Sequence, residues 1–287
     1  MTDIAKTSRS SPPSPAASQA RPGGDVRLSA RLAPSLMRVV PGAVFFIALV
    51  VVWEIMARRL NSPLVPDVSL IYGQLLSIIE SGLAVQQIAL TFMRMSLGFL
   101  LALVVALPIG IAAARSKLAS QFIEPGVTLG LTVPGLVWAL LCVIWFGTAL
   151  ASPVISVALG VLPSLVITVK EGINSLSHEL VEMAQVFRLT KRTVLRRIWL
   201  PVLYAFIVPG ARVGFSIAWK VIVLVEIFGM SDGVGYQLNA QFSTQNVEGV
   251  LAWTIAFWAA MLIVEHAIFG PLERHANHWK KGFSHEQ

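Results

Sequence analysis

Long apolar runs alternate with short polar segments along most of the chain. Six runs are long enough to cross a bilayer as helices: residues 40–57, 92–114, 127–146, 153–169, 202–228 and 250–269. Residues 60–90 lie between the first two runs. They are too polar to span and predict an amphipathic, partly interfacial stretch. Each of the second to fifth spans contains a proline: Pro108, Pro134, Pro163 and Pro209. Each proline removes a backbone donor and bends its helix. These bends could act as hinges. They could equally be kinks that membrane helices tolerate because neighbouring helices satisfy the freed carbonyls. A kinked core is expected in both cases.

One polar stretch, VEMAQVFRLTKRTVLRRIWLP, runs from Val181 to Pro201 between the fourth and fifth runs. It has helical periodicity. Leu180, Met183, Ala184 and Phe187 share a face at i, i+3, i+4 and i+7, and Val194, Leu195 and Ile198 form a second apolar stripe. Lys191, Arg192, Arg196 and Arg197 supply positive charge. A basic amphipathic loop between spans predicts a docking surface on the cytoplasmic side.

Composition sharpens this picture. Only 13% of the 287 residues are charged, against about 25% in soluble domains, so the chain predicts an integral membrane protein. The net charge of +7 is spread between apolar spans, which fits positive cytoplasmic loops and not a nucleic-acid site. The single cysteine, Cys142, excludes an intramolecular disulfide and offers no metal cluster. The first apolar run begins too late and is too long for a cleavable signal peptide, so none is expected. Residues 1–34 are rich in Ser, Pro, Ala and Arg and predict a disordered, solvated tail. Residues 35–275 form the membrane domain, with the polar loop at 180–201, and residues 276–287 a second tail. Arg115 and Lys117 close the second span and Lys170 the fourth, so the positive-inside pattern places both termini in the cytoplasm. Arg58 and Arg59 are the exception, and Arg58 stands four residues from a possible partner, Glu54.

Charges at membrane depth are costly and therefore informative. In the fifth span Arg212, Ser216, Trp219, Val223 and Glu226 follow at i, i+4, i+7, i+11 and i+14, which places them on one helical face. That stripe could line a translocation path, or Arg212 and Glu226 could snorkel to water from near the two ends. Lys220 lies roughly 80° from the stripe and is expected to face the bundle interior. Arg94 in the second span, and Glu265 and His266 in the sixth, are expected to be anchors or interhelical partners. Gly229, Gly233 and Gly235 in GMSDGVGY lack the lysine and the strand-to-helix context of a phosphate loop and read as turn glycines.

The polar loop also carries a family resemblance. Glu182, Met183 and Ala184, then Arg188, then nine residues on Ile198, Trp199, Leu200 and Pro201, keep the register of a motif E-A-A, three residues, G, nine residues, I-x-L-P. In this the chain resembles permease subunits of binding-protein-dependent ABC importers. From about Leu64 onward it resembles their nitrate/sulfonate/taurine branch. Two positions depart: Met183 for alanine and Arg188 for glycine. The resemblance implies an all-α polytopic membrane protein of about six spans with a cytoplasmic coupling helix. Met183, Ala184 and Phe187 would pack into a groove on an ATPase, and Glu182 would make polar contacts there. It further implies a second copy of the permease, two cytoplasmic ATPase subunits that hold the ATP and magnesium, and an extracytoplasmic substrate-binding protein in a bacterial inner membrane. The solute expected is small and anionic: a sulfonate, taurine, nitrate or similar, with a pyrimidine vitamin precursor as the alternative. An arginine at a positive-φ position costs about 1 kcal/mol or more. So either the turn at Arg188 differs, or the ATPase offers it an acidic site, or coupling has decayed. No GxxxxGK[ST] occurs, so energy is expected from a partner. An ATP-independent secondary transporter is the competing class. It predicts paired intramembrane carboxylates or an inverted repeat, and neither stands out. A membrane enzyme would need clustered His, Asp or Glu at depth.

Overall fold

A computed structural model describes residues 33–60, 62–175, 186–187 and 190–281. No strand occurs among them. Two compact units divide the chain, Met1–Val52 and Trp53–Gln287. In the first, residues 33–52 form the opening part of helix α1 (Ala33–Leu60), and their apolar side chains from Val44 to Val52 stand exposed.

The second unit holds the end of α1 followed by α2 (Val68–Glu80), α3 (Leu83–Arg115), α4 (Lys117–Thr132), α5 (Gly135–Phe146) and α6 (Ala151–Asn174). After the polar loop come α7 (Leu200–Gly229), α8 (Val234–Ser243) and α9 (Val247–Lys281). Among the described residues, four helices are long and apolar enough to cross a membrane alone: Val40–Leu60, Leu83–Arg115, Ala151–Asn174 and Val247–Leu272. Two bent pairs bring the number to six if each pair is one span.

Three sequence expectations are corrected. The third span, expected as one helix over 127–146, is the pair α4 and α5, bent by 96°. The break falls at Val133 and Pro134, where extended backbone replaces the helix. The residue before a proline is pushed out of the helical region, so α4 stops there. The twelve residues of α5 reach only about 18 Å and cannot cross alone. The second span, expected from residue 92, is helical from Leu83, because the polar residues Gln86, Gln87 and Thr91 sit inside the helix. The stretch between the fifth and sixth runs, expected only as a polar interruption, contains α8, set at 53° to α7.

The core forms where small residues let helices approach. Gly98, Ala102, Ala106 and Gly110 recur every four residues along α3 and are buried. A Cβ on Gly98 would lie 2.7 Å from the Val154 carbonyl oxygen, and one on Gly110 would lie 2.6 Å from Val169 Cβ, so α3 packs backbone-close on α6. On α6, Val157, Val161, Leu165 and Val169 form the matching buried row. Phe215, Ala218, Ile222 and Val225 of α7 join the same core, as do Trp253 and Phe257 of α9. Two buried hydroxyls of α6 tie it to α5: Ser152 donates to the Cys142 carbonyl at 2.7 Å and Ser156 to the Trp138 carbonyl at 3.0 Å.

The polar exception near Arg58 resolves locally. Arg58 pairs with Glu54 at 2.7 Å, as the i+4 spacing predicts. Glu54 also accepts from the Val68 amide at 3.1 Å and so caps α2 from a neighbouring helix.

Candidate functional site

Of the eight coupling-loop residues expected from the sequence, Glu182, Met183, Ala184 and Arg188 lie outside the described residues. Phe187 is described and exposed, as are Val186 before it and Leu200. Lys191–Val194 form one helical turn, begun by Thr190, whose carbonyl accepts from the Thr193 and Val194 amides. The chain then widens into a π-helical turn, Leu195–Trp199, which contains Ile198. Pro201 follows as an opening residue of α7. It has no amide hydrogen to extend a hydrogen-bond ladder back into that turn, so the wide turn closes just upstream of it. Arg192, Arg196 and Arg197 are exposed on this segment. Trp199 is half-buried, and the Arg115 guanidinium stands over its ring at 5.3 Å from the centroid. The last residue of α3 therefore meets the last residue before α7.

At the opposite end of the same two helices lies a buried polar cluster. Gln87, Thr91 and Arg94 share one face of α3 at i, i+4 and i+7. They face Glu226 of α7 and the turn at residues 231–235. Glu226 is wholly enclosed. Its carboxylate accepts from Thr91 Oγ1 at 2.8 Å, Arg94 Nη1 at 3.2 Å and the Gly235 amide at 3.0 Å. The Thr91 hydroxyl in turn accepts from the Val234 amide at 2.9 Å, and Gln87 Oε1 accepts from the Gly233 amide at 2.5 Å. Arg94 also donates to the Asp232 carbonyl at 3.2 Å and, through Nη2, to the Asp232 carboxylate at 2.5 Å. A buried carboxylate survives at this depth only when paired and fully hydrogen-bonded, and three donors, one of them a guanidinium, meet that condition.

The glycines of this turn are required by the same geometry. Gly233 has φ +99°, and a Cβ there would collide with the Glu226 carboxylate. A Cβ on Gly235 would lie 2.6 Å from Glu226 Cβ and would also strike the Val223 carbonyl. Turn glycine is thus the right reading for Gly233. The sequence did not reveal that three consecutive amides, from Gly233 to Gly235, bind side chains of α3 and α7.

The expected stripe on the fifth span divides into separate settings. Glu226 neither snorkels to water nor lines an open face, because the turn after α7 folds back over it. Arg212 pairs with Glu265 of α9, with Nε and Nη2 both at 2.8 Å. Ser216 donates to the Arg212 carbonyl within its own helix at 3.1 Å. Trp219 packs edge-on against Phe257 of α9, with ring centroids 6.0 Å apart. Lys220 does not face the interior of its own bundle. It is exposed, with Nζ 5.7 Å from the Trp219 ring centroid. The cause is helical geometry: Lys220 stands two residues from both Ala218 and Ile222, about 200° around the helix from the buried row. Arg94 and Glu265 are interhelical partners, as expected. His266 bonds within its own helix, to the Leu262 carbonyl at 2.9 Å.

Comparison with known proteins places this arrangement. Residues 106–268 match the family model described as the binding-protein-dependent transport system inner membrane component. A protein of Bacillus subtilis named as an aliphatic sulfonates transport permease, SsuC, is 28% identical over 82% of this chain and 86% of its own length. The taurine transport system permease protein TauC of Escherichia coli is 26% identical over 72% of this chain and 77% of its own. Among solved structures, a chain of an amino acid ABC transporter superposes with a TM-score of 0.57 at 18% identity, over 70% of this chain and 97% of that one. That likeness is one of fold.

Proposed function

The chain belongs to the family of binding-protein-dependent transport system inner membrane components and is a permease subunit of an ABC importer, and on that premise we propose its assembly, orientation and solute. Two copies of the chain associate with two cytoplasmic ATPase subunits, which hold the ATP and magnesium, and are fed by an extracytoplasmic binding protein. Both termini lie in the cytoplasm of a bacterial cell. The solute is a small anion of the sulfonate, taurine or nitrate kind.

The observation that carries the ATPase coupling is the state of the polar loop. Val186, Phe187 and Leu200 expose large apolar side chains on the same segment as the exposed Arg196 and Arg197, and the loop leads directly into α7. Exposed apolar side chains on a basic segment between spans suit a groove on a soluble partner. Arg115, Lys117 and Lys170 lie at the same ends of their helices as this loop, which supports a cytoplasmic position for that side. The anion reading draws on Lys220, a cation on the exposed flank of α7 where it would meet the path between two copies. It draws also on the substrates named for the two bacterial relatives.

Uptake of labelled taurine into membrane vesicles containing the chain and its co-expressed partners tests the reading. Uptake that requires ATP, and that competing sulfonate or nitrate reduces, is the expected result. Uptake that proceeds without ATP would overturn the importer assembly in favour of a secondary transporter.

A further inference from the structure

Helices α3 and α7 run antiparallel and are fastened to each other at both ends. At one end Glu226, close to the C-terminus of α7, and the turn after it hold Thr91 and Arg94 of α3. At the other end Arg115, the last residue of α3, covers Trp199, the residue before α7 begins. The two fastenings are about 31 Å apart along α3 at the helical rise per residue. Between them each helix carries one interior proline, Pro108 in α3 and Pro209 in α7. A proline deletes a ladder hydrogen bond and makes that point the easiest place to bend.

The two fastenings differ in kind. The Glu226 cluster is buried, charged and multiply bonded, and opening it would strand a carboxylate at membrane depth. The Arg115–Trp199 contact is a single cation–π pair on a half-buried ring, and it sits on the segment that would meet an ATPase.

We propose that Arg115 and Trp199 act as a clamp that makes the loop-side halves of α3 and α7 move as one body, hinging at Pro108 and Pro209 against outer halves held together by Arg94, Glu226 and Asp232. Without the clamp, a displacement of the loop would tilt the first turns of α7 and leave α3 behind. Arg115 also has an ordinary role, since a cation at a helix C-terminus is favourable. A lysine would serve that role equally. It would not present a planar guanidinium to the indole face. Arg115 and Trp199 are thus positioning residues for energy coupling. This inference rests on the importer reading above.

The test uses the full complex with its ATPase subunit, in a Cys142→Ser background. Spin labels on Lys117→Cys and Arg192→Cys report the spacing between the start of α4 and the loop. A second pair, Lys117→Cys and Ser231→Cys, reports the loop-side half against the outer turn. Distances are measured before and after trapping with MgATP and vanadate. The expected result is that the first distance holds on trapping while the second shifts. In Arg115→Lys and in Trp199→Leu the first distance shifts or broadens, although the ATPase subunit still co-purifies. Trp199→Phe, which keeps an aromatic face, restores the native behaviour. The proposal is overturned if the first distance changes in the native clamp, or if Arg115→Lys behaves like the native chain. It is overturned also if Arg115→Lys loses the ATPase subunit, which would make Arg115 a docking residue. Failure to recover any ATPase subunit with the native chain would instead overturn the importer reading itself.

Discussion

Glu226 shows how far one residue's role depends on distant partners. Its nearest cation, Arg94, is 132 positions away in sequence. Arg94→Ala leaves the carboxylate enclosed and uncompensated, and costs about 3–5 kcal/mol. Thr91→Val removes one donor and strands the Val234 amide, at about 1–3 kcal/mol. Thermal unfolding of the detergent-purified chain, followed by tryptophan fluorescence, should rank native, Thr91→Val and Arg94→Ala in that order of decreasing midpoint. Equal midpoints would contradict the network. Lys220 gives the opposite expectation. It is exposed, so Lys220→Ala should leave the unfolding free energy within about 0.5 kcal/mol of native and the midpoint nearly unchanged. The proposed anion path predicts that the same variant slows taurine uptake, and unchanged uptake kinetics would remove Lys220 from that path. What the sequence made legible at this scale was local. The Glu54–Arg58 pair follows from i+4 spacing alone. The face of α7 that is interior did not follow, because periodicity gives angles around a helix but not which neighbour each angle meets.

At the scale of the element, helix α3 carries its packing signal in the sequence itself. Gly98, Ala102, Ala106 and Gly110 mark a close helix–helix seam at four-residue spacing, and the structure places that seam against α6. Gly98→Leu should therefore overpack the seam at a cost of about 1–3 kcal/mol. A Cβ at Gly126 of α4 meets nothing within 4 Å, so Gly126→Leu should fall within about 0.5 kcal/mol of native. Comparing the two unfolding midpoints checks the seam, and an equal loss in both would contradict it. The break in the third span is hidden in the sequence for a related reason. Apolar character is continuous across Leu131, Val133 and Leu136, and hydropathy does not record a 96° change of direction. Pro134 did record it, but a proline inside an apolar run is as compatible with a kink as with a break. Pro108, Pro163 and Pro209 sit in unbroken helices, and Pro134 does not.

For the whole molecule, the number of apolar runs was legible because each must satisfy its backbone within the bilayer as a helix. Among the described residues, the six runs are matched by four single helices and, if each bent pair is one span, two bent pairs. Orientation follows from loop charge and has a direct check. Single cysteines placed at Lys117 or Arg192, with Cys142 replaced by serine, should react with a membrane-impermeant maleimide only after the cells are opened. A cysteine at Thr244, beyond α8, should react in intact cells. Reversed labelling would invert the proposed topology. The polar loop carries the register of Glu182, Ala184, Ile198, Leu200 and Pro201; Glu182 and Ala184 lie outside the described residues, and the exposed Phe187 and Leu200 suit the proposed docking. Its link to α3 through Trp199 was not legible, because the partner residue lies at the far end of another helix.

The most direct test of the account is affinity purification of the tagged chain in mild detergent, with mass spectrometry of what accompanies it. The account predicts stoichiometric recovery of an ATPase subunit with the native chain. It predicts loss of that subunit from Phe187→Glu, with the variant's unfolding midpoint unchanged. Recovery of the native chain alone, still able to move solute in vesicles without ATP, would contradict it.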